Sequence, residues 1–188
     1  MMKVPYRDLR VTDEHLKQEL IEAVESVLNH GHLLLGPEVN EFEDLISGYC
    51  HRKYAVGVGT GTQAIYLALR ALGIGVGDDV ITTPMSWIAT VNAIVLAGAN
   101  PVFVDIQDDL NINANLVRDA ITSRTKAIMP VHFTGRICNM DSIMSIANEF
   151  DLFVIEDAAQ SFGARLNGKP AGSFGNIGCF SMNTMKLF

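Results

Sequence analysis

Six short apolar runs alternate with helix-like segments along most of this chain, and that alternation constrains the fold more than any other feature. The runs are Tyr54–Val58, Val80–Thr83, Pro101–Val104, Ala127–Val131, Leu152–Ile155 and Ile177–Ser181. Helix-like segments lie between them, over 62–72, 88–97, 114–121 and 140–149. Strands alternating with helices predict an α/β fold, a mostly parallel sheet with helices on both faces. The runs are almost continuously apolar, as strands buried on both sides must be. Ahead of them, Leu16, Leu20, Val24, Val27 and Leu28 recur at helical spacing and predict an amphipathic helix over 13–29. Gly31 and Gly36-Pro37 interrupt it, and Val39, Phe42, Leu45 and Tyr49 form a second helical face. No repeat, low-complexity stretch or linker divides the chain. The expected organisation is an N-terminal helical arm, residues 1–50, followed by one large α/β domain, residues 51–188.

The 188 residues are 48% hydrophobic and 19% charged, enough apolar material for a sizeable core. The net charge of −7 offers no basic footprint for nucleic acid. It still allows an anionic ligand, because a helix N-terminus can hold phosphate locally. Cys50, Cys138 and Cys179 are odd in number and widely spaced. Reduced thiols are the plain reading, and no metal site is expected. The first fifteen residues are polar and lack the apolar core of a signal peptide. The longest apolar stretch, around Val91 to Ala99, is far too short to span a bilayer. A cytoplasmic protein without membrane partners is expected.

In a sheet of this kind ligands sit beyond the C-terminal ends of the strands. GTGTQA, Gly59 to Ala64, follows the first run and opens a helix. Its small residues and free N–H groups at Thr62 and Gln63 suit a phosphate, or the turn is ordinary with Thr62 as N-cap. Trp87, the single tryptophan, lies in TPMSWIAT beyond the second run, either as a platform for a heterocycle or as a core residue. His132 and Arg136 follow the fourth run, where each reads equally as a ligand contact or as a structural or surface residue. The fifth run leads into Glu156-Asp157-Ala158-Ala159-Gln160. Asp157 there could pair with a protonated ring nitrogen or cap a helix, and Gln160 could bond a ring substituent. The last run leads to Ser181 and, five residues on, Lys186. A strand-end aspartate and a Schiff-base lysine are the two groups that pyridoxal phosphate (PLP) chemistry most needs from a protein.

The order of these elements resembles the DegT/DnrJ/StrS family of PLP-dependent sugar aminotransferases, which have the aspartate-aminotransferase fold, type I. It consists of a Gly-Thr turn opening a helix, an aromatic beyond the next strand, then EDAAQ, then Ser-x4-Lys. The resemblance covers nearly the whole chain, including GVGDDVITTPMSWIATVNAIVLAGANPVFVDI, Gly75 to Ile106. It implies that Lys186 forms the Schiff base with PLP and shuttles protons, and that Asp157 keeps the ring nitrogen protonated. It further implies that Trp87 stacks on the ring, Gln160 meets its hydroxyl side, and Thr62, Gln63 and Ser181 hold the phosphate. The implied substrates are an amino donor such as glutamate and a nucleotide-linked keto sugar, with a homodimer as the working form. Met182 and Thr184 stand where many members have Phe and Pro. The resemblance also implies a longer protein, with a further strand beside the first and a small domain beyond Lys186. Rival readings are a sugar dehydratase, which has histidine at the lysine position, another fold-type-I enzyme such as a lyase or aldolase, and an inert truncated fragment.

Overall fold

The computed structural model describes residues 8–186; residues 1–7, part of the leader reading above, and 187–188 lie outside the described residues. Helix α1, Glu14–His30, is started by Asp13, whose carboxylate accepts the Leu16 N–H at 2.9 Å. It ends at Gly31, which takes the left-handed conformation (φ 72°) that an L side chain resists. Helix α2, Pro37–Tyr49, begins on a proline, whose missing N–H costs nothing in a first turn. Neither helix contains a fully buried residue, and Leu16, Leu20, Val24 and Leu28 of α1 are all exposed.

The remaining elements build the α/β unit. They are α3 (Gly61–Ala71), β1 (Asp79–Thr82), α4 (Ile88–Leu96), β2 (Asn100–Phe103), α5 (Ala114–Val117) and β3 (Thr125–Ile128). They continue with α6 (Met140–Glu149), β4 (Phe153–Asp157), β5 (Arg165–Leu166), β6 (Lys169–Pro170) and β7 (Ile177–Cys179). Five strands form one parallel sheet in the order β2-β1-β3-β4-β7, while β5 and β6 make a separate antiparallel hairpin.

Successive strand residues point to opposite faces. Val80, Ala127 and Ile155 therefore meet Ile65, Leu69, Ala93 and Ile94 of α3 and α4. Ile81, Ile128 and Val154 meet Val117, Met140 and Ile143 on the α5 and α6 side. The expected class, a parallel sheet with helices on both faces, is the one observed. The side chains facing the helices are fully buried, the Val and Ile among them each contributing about 1.5–3 kcal/mol.

Two expectations are corrected. Tyr54–Val58 is not a strand. Tyr54 and Val56 are about three-quarters exposed, and the Gly57 N–H goes to the Glu43 carboxylate at 2.7 Å instead of a ladder partner. An apolar cleft of about 940 Å³ separates this segment from Gly178–Ser181, lined by Phe42, Ile46, Leu67, Ile177 and Phe180 among others. The second correction is the β5–β6 hairpin, which the apolar runs do not show. Its turn is Asn167-Gly168, both at positive φ, the geometry for which that dipeptide is suited. Among the described residues no helix is long and apolar enough to cross a membrane.

Candidate active site

Strand β4 extends two residues beyond its apolar run and carries Glu156 and Asp157 inside the sheet. The backbone of Asp157 is fixed on both sides. Its N–H donates to the Pro130 carbonyl at 2.9 Å, its carbonyl accepts the His132 N–H at 3.1 Å, and it lies opposite Cys179 of β7. Because β4 is pleated, the two adjacent carboxylates point to opposite faces, Asp157 with Ile155 and Glu156 with Val154.

Glu156 has no solvent exposure. Its Oε1 accepts the N–H groups of Phe174 and Gly175, both at 2.7 Å. Its Oε2 accepts the Gly172 N–H at 2.8 Å and faces His132 Nε2 at 2.9 Å. His132 Nδ1 accepts the Cys138 N–H, so the ring hydrogen sits on Nε2 and points at the carboxylate. Arg52 adds a guanidinium 3.7 Å away. Burial alone would raise the Glu156 carboxyl, but the His132 ring and the N–H groups of Gly175 and Gly172 reverse this and hold it below the usual range. The loop can wrap a carboxylate this closely because it is glycine-rich. Gly172 has φ 79° and lies against the Phe180 ring, and a Cβ at Gly178 would come within 2.6 Å of the Gly172 backbone. His132 is therefore a structural histidine.

Asp157 is 5% exposed and more sparsely held. Oδ2 accepts the Thr90 hydroxyl at 2.6 Å, and Oδ1 accepts the Ala159 N–H at 3.2 Å. A turn rather than a helix follows, so Asp157 does not cap a helix. Among the described residues no Lys, Arg or His forms an ion pair with it. Burial pushes the carboxyl up, and the Thr90 hydroxyl and Ala159 N–H offset only part of that. A buried carboxylate without a counter-cation suits a cationic partner brought by a ligand.

Trp87 is not a core residue. It is 66% exposed, occupies the N-cap position of α4, and has Lys186 Nζ over its ring, 5.6 Å from the centroid. Gln160 is half-buried, and its Oε1 accepts the Thr134 N–H at 3.1 Å, leaving the amide NH₂ for a ligand oxygen. The N-cap of α3 is Thr60 rather than Thr62, with the Thr60 hydroxyl accepting the Gln63 N–H at 3.1 Å. The Gln63 Oε1 turns back to the Gly59 N–H. Gly61 and Thr62 thus supply the open first N–H groups of the helix. Gly61 packs on Ser181, where a Cβ would sit 3.0 Å from the serine Cβ. The serine hydroxyl is thereby brought to the helix N-terminus. Arg136 is exposed. Burial pushes the Cys138 thiol up to about 12 and also raises Cys50 and Cys179, and all three cysteines are free. Ser86 and Thr90 went unread in the sequence, although both lie in the segment around Trp87.

The family model described as the DegT/DnrJ/EryC1/StrS aminotransferase family matches residues 14–188. This chain belongs to that family. It is 44% identical to the dTDP-3-amino-3,6-dideoxy-alpha-D-galactopyranose transaminase of Aneurinibacillus thermoaerophilus, over 95% of this chain and 49% of that protein. Among solved structures it is similar to DesV of Streptomyces venezuelae in complex with a ketimine intermediate. The TM-score is 0.91 at 41% identity, covering 96% of this chain and 49% of that one. It is also similar to NtdA of Bacillus subtilis with bound cofactor PMP. There the TM-score is 0.84 at 38% identity, covering 92% and 40% of the two chains. This DegT/DnrJ/EryC1/StrS member spans about half the length of the curated relatives it matches.

Proposed function

We propose that this chain is the PLP-binding part of a nucleotide-sugar aminotransferase, which moves an amino group from a donor such as glutamate to a nucleotide-linked keto sugar. The observation that carries the reading is Asp157, a buried carboxylate with no ion pair among the described residues, at the same strand ends as Trp87 and Lys186. These residues fit PLP. When bound, the cofactor supplies an electron sink for negative charge on the substrate's amino-bearing carbon. Asp157 holds a proton on the ring nitrogen. Trp87 presents its exposed face to the ring, and the Gln160 amide donates toward the ring hydroxyl side. Lys186 Nζ would hold the cofactor and, once displaced by the donor's amine, would be free to move a proton between cofactor and substrate carbons. The N–H and hydroxyl of Thr62, the Ser181 hydroxyl and the Gln63 side-chain amide meet the phosphate at the start of α3.

The division into an arm, 1–50, and a PLP-binding domain, 51–188, belongs to this reading. It is supported by the lack of fully buried residues within α1 and α2. A homodimer belongs to it as well, supported by the exposed apolar stripe of α1 and by Leu33, Leu34 and Leu35, each at least 70% exposed. Small-molecule substrates and a cytoplasmic location complete it. The test is borohydride reduction in the presence of PLP, followed by peptide mapping. The label is expected on Lys186, and a label on Lys53, Lys126 or Lys169 would overturn the assignment.

A further inference from the structure

Two hydroxyls stand in line behind the Asp157 carboxylate. Thr90 Oγ1 lies 2.6 Å from Asp157 Oδ2, and Ser86 Oγ lies 2.6 Å from Thr90 Oγ1. Thr90 is 1% exposed, so no bulk water competes for its hydroxyl. An ionised carboxylate only accepts, so Thr90 must donate its single proton to Asp157. The Thr90 oxygen then accepts, and Ser86 donates to it. The line runs in one direction, Ser86 to Thr90 to Asp157, and each link polarises the next. A hydroxyl bond to a carboxylate is charge-assisted and stronger than a neutral one.

The location of the line matters as much as its chemistry. Thr90 lies in the first turn of α4, and its N–H donates to the Trp87 carbonyl at 3.1 Å. One short segment, 86–90, therefore presents an exposed aromatic face outward and a hydroxyl inward to the sheet. The opposite oxygen, Oδ1, has only the longer Ala159 contact and is the less engaged of the two. Cys179 is the neighbouring strand residue on the Asp157 face, while Lys186 and, from the Glu156 face, His132 are the charged or titratable groups that act on Asp157. None of these replaces a hydroxyl donor on Oδ2.

We infer that Thr90, with Ser86 behind it, is a positioning residue that fixes the Asp157 carboxylate and keeps it ionised, so that the proton stays on the cofactor's ring nitrogen. The inference rests on the PLP reading. It distinguishes Thr90 from a threonine that merely fills space between α4 and β4.

The experiment uses the protein loaded with PLP that is ¹⁵N-labelled at the ring nitrogen, and reads the ¹⁵N chemical shift together with the PLP dissociation constant. Thr90→Val keeps the shape and removes the donor. It is expected to move the ring signal toward the unprotonated position and to weaken PLP binding about tenfold. Thr90→Ser is expected to retain the parent signal and affinity to within about twofold. Ser86→Ala, which removes only the outer link, is expected to shift the signal the same way by a smaller amount. A parent-like ring signal in Thr90→Val, or a Thr90→Ser variant that behaves like Thr90→Val, overturns the inference. Should Thr90→Val not fold, an unchanged signal in Ser86→Ala overturns it. Asp157→Asn is the control on the parent reading. If that variant leaves the ring signal where the parent has it, the pairing of Asp157 with PLP fails, and this inference with it.

Discussion

Glu156→Gln changes one atom and should be far more damaging to the fold than the same change at Asp157. The Glu156 carboxylate accepts four hydrogen bonds, two at each oxygen, in a site with no solvent. A glutamine must place its NH₂ at one oxygen position or the other. Facing Phe174 and Gly175, it strands two backbone N–H groups. Facing Gly172 and His132, it strands one N–H and the imidazole. The imidazole cannot respond by changing tautomer, because its Nδ1 already accepts the Cys138 N–H. Each buried donor without an acceptor costs about 1–3 kcal/mol, so two cost about 2–6 kcal/mol. Set against a total stability of roughly 5–15 kcal/mol, that is a large share. For a chain of this size it is a fall of about 4–24 °C in Tm. Asp157→Asn disturbs much less. The Thr90 hydroxyl can rotate to accept from an amide, and an Asn oxygen can still take the Ala159 N–H. Its Tm is expected within about 4 °C of the parent, roughly 1 kcal/mol. Thermal melts of both variants by circular dichroism are the assay. A Glu156→Gln variant melting within about 2 °C of the parent would refute the account of a fully used carboxylate.

The same contrast should appear in function and in pH. Asp157→Asn is expected to lower transamination about 100-fold or more, as when a preorganised charge is lost, measured by conversion of PLP to its amine form. Trp87→Ala should weaken PLP binding about 2- to 12-fold, the equivalent of 0.5–1.5 kcal/mol of ring stacking. Because Trp87 is largely exposed, its Tm should barely change; unchanged affinity with a large fall in Tm would restore the core reading. The Glu156 carboxyl is held below its ordinary value of 4.5. Its contribution to stability is therefore complete above that value and lost as pH falls through the lower, folded one. Asp157 is raised above 3.8, so its contribution is complete below that value and is lost as pH rises through the folded one. Denaturation midpoints across acid pH should fall more steeply in the parent than in Glu156→Gln, and parallel curves would contradict the assignment.

The sequence reads well wherever the apolar pattern alone decides the structure. Helices α1, α3, α4 and α6 begin and end within a residue or two of the predicted segments, because caps and period are local. Tyr54–Val58 is as apolar as a strand, yet composition cannot tell whether a partner strand lies within hydrogen-bonding reach. Strand β4 runs past its apolar residues with both carboxylates satisfied, Glu156 by the distant 172–175 loop and Asp157 by Thr90 of α4 and the nearby Ala159 N–H, which no apolar pattern reveals. Thr60 displaces Thr62 as cap because the backbone is still extended at Thr60 and turns helical from Gly61, where residue type alone does not set the start. Trp87 taken alone favours the core, and its exposed place at the α4 N-cap is what turns it into a platform. Thr90 is invisible from sequence because its significance lies in an atom 67 positions away.

The pleat of β4 also defines how this protein would fail. A slip of one residue in that strand would turn to the wrong faces two side chains that look interchangeable on paper. Asp157 would turn toward a nest of N–H groups that it is one methylene too short to fill. Glu156 would turn toward a lone hydroxyl, one methylene too long. Insertions and deletions within 153–157 should therefore be less tolerable than any point substitution there, since a single added residue removes the anchor of the 172–175 loop and the partner of Thr90 together.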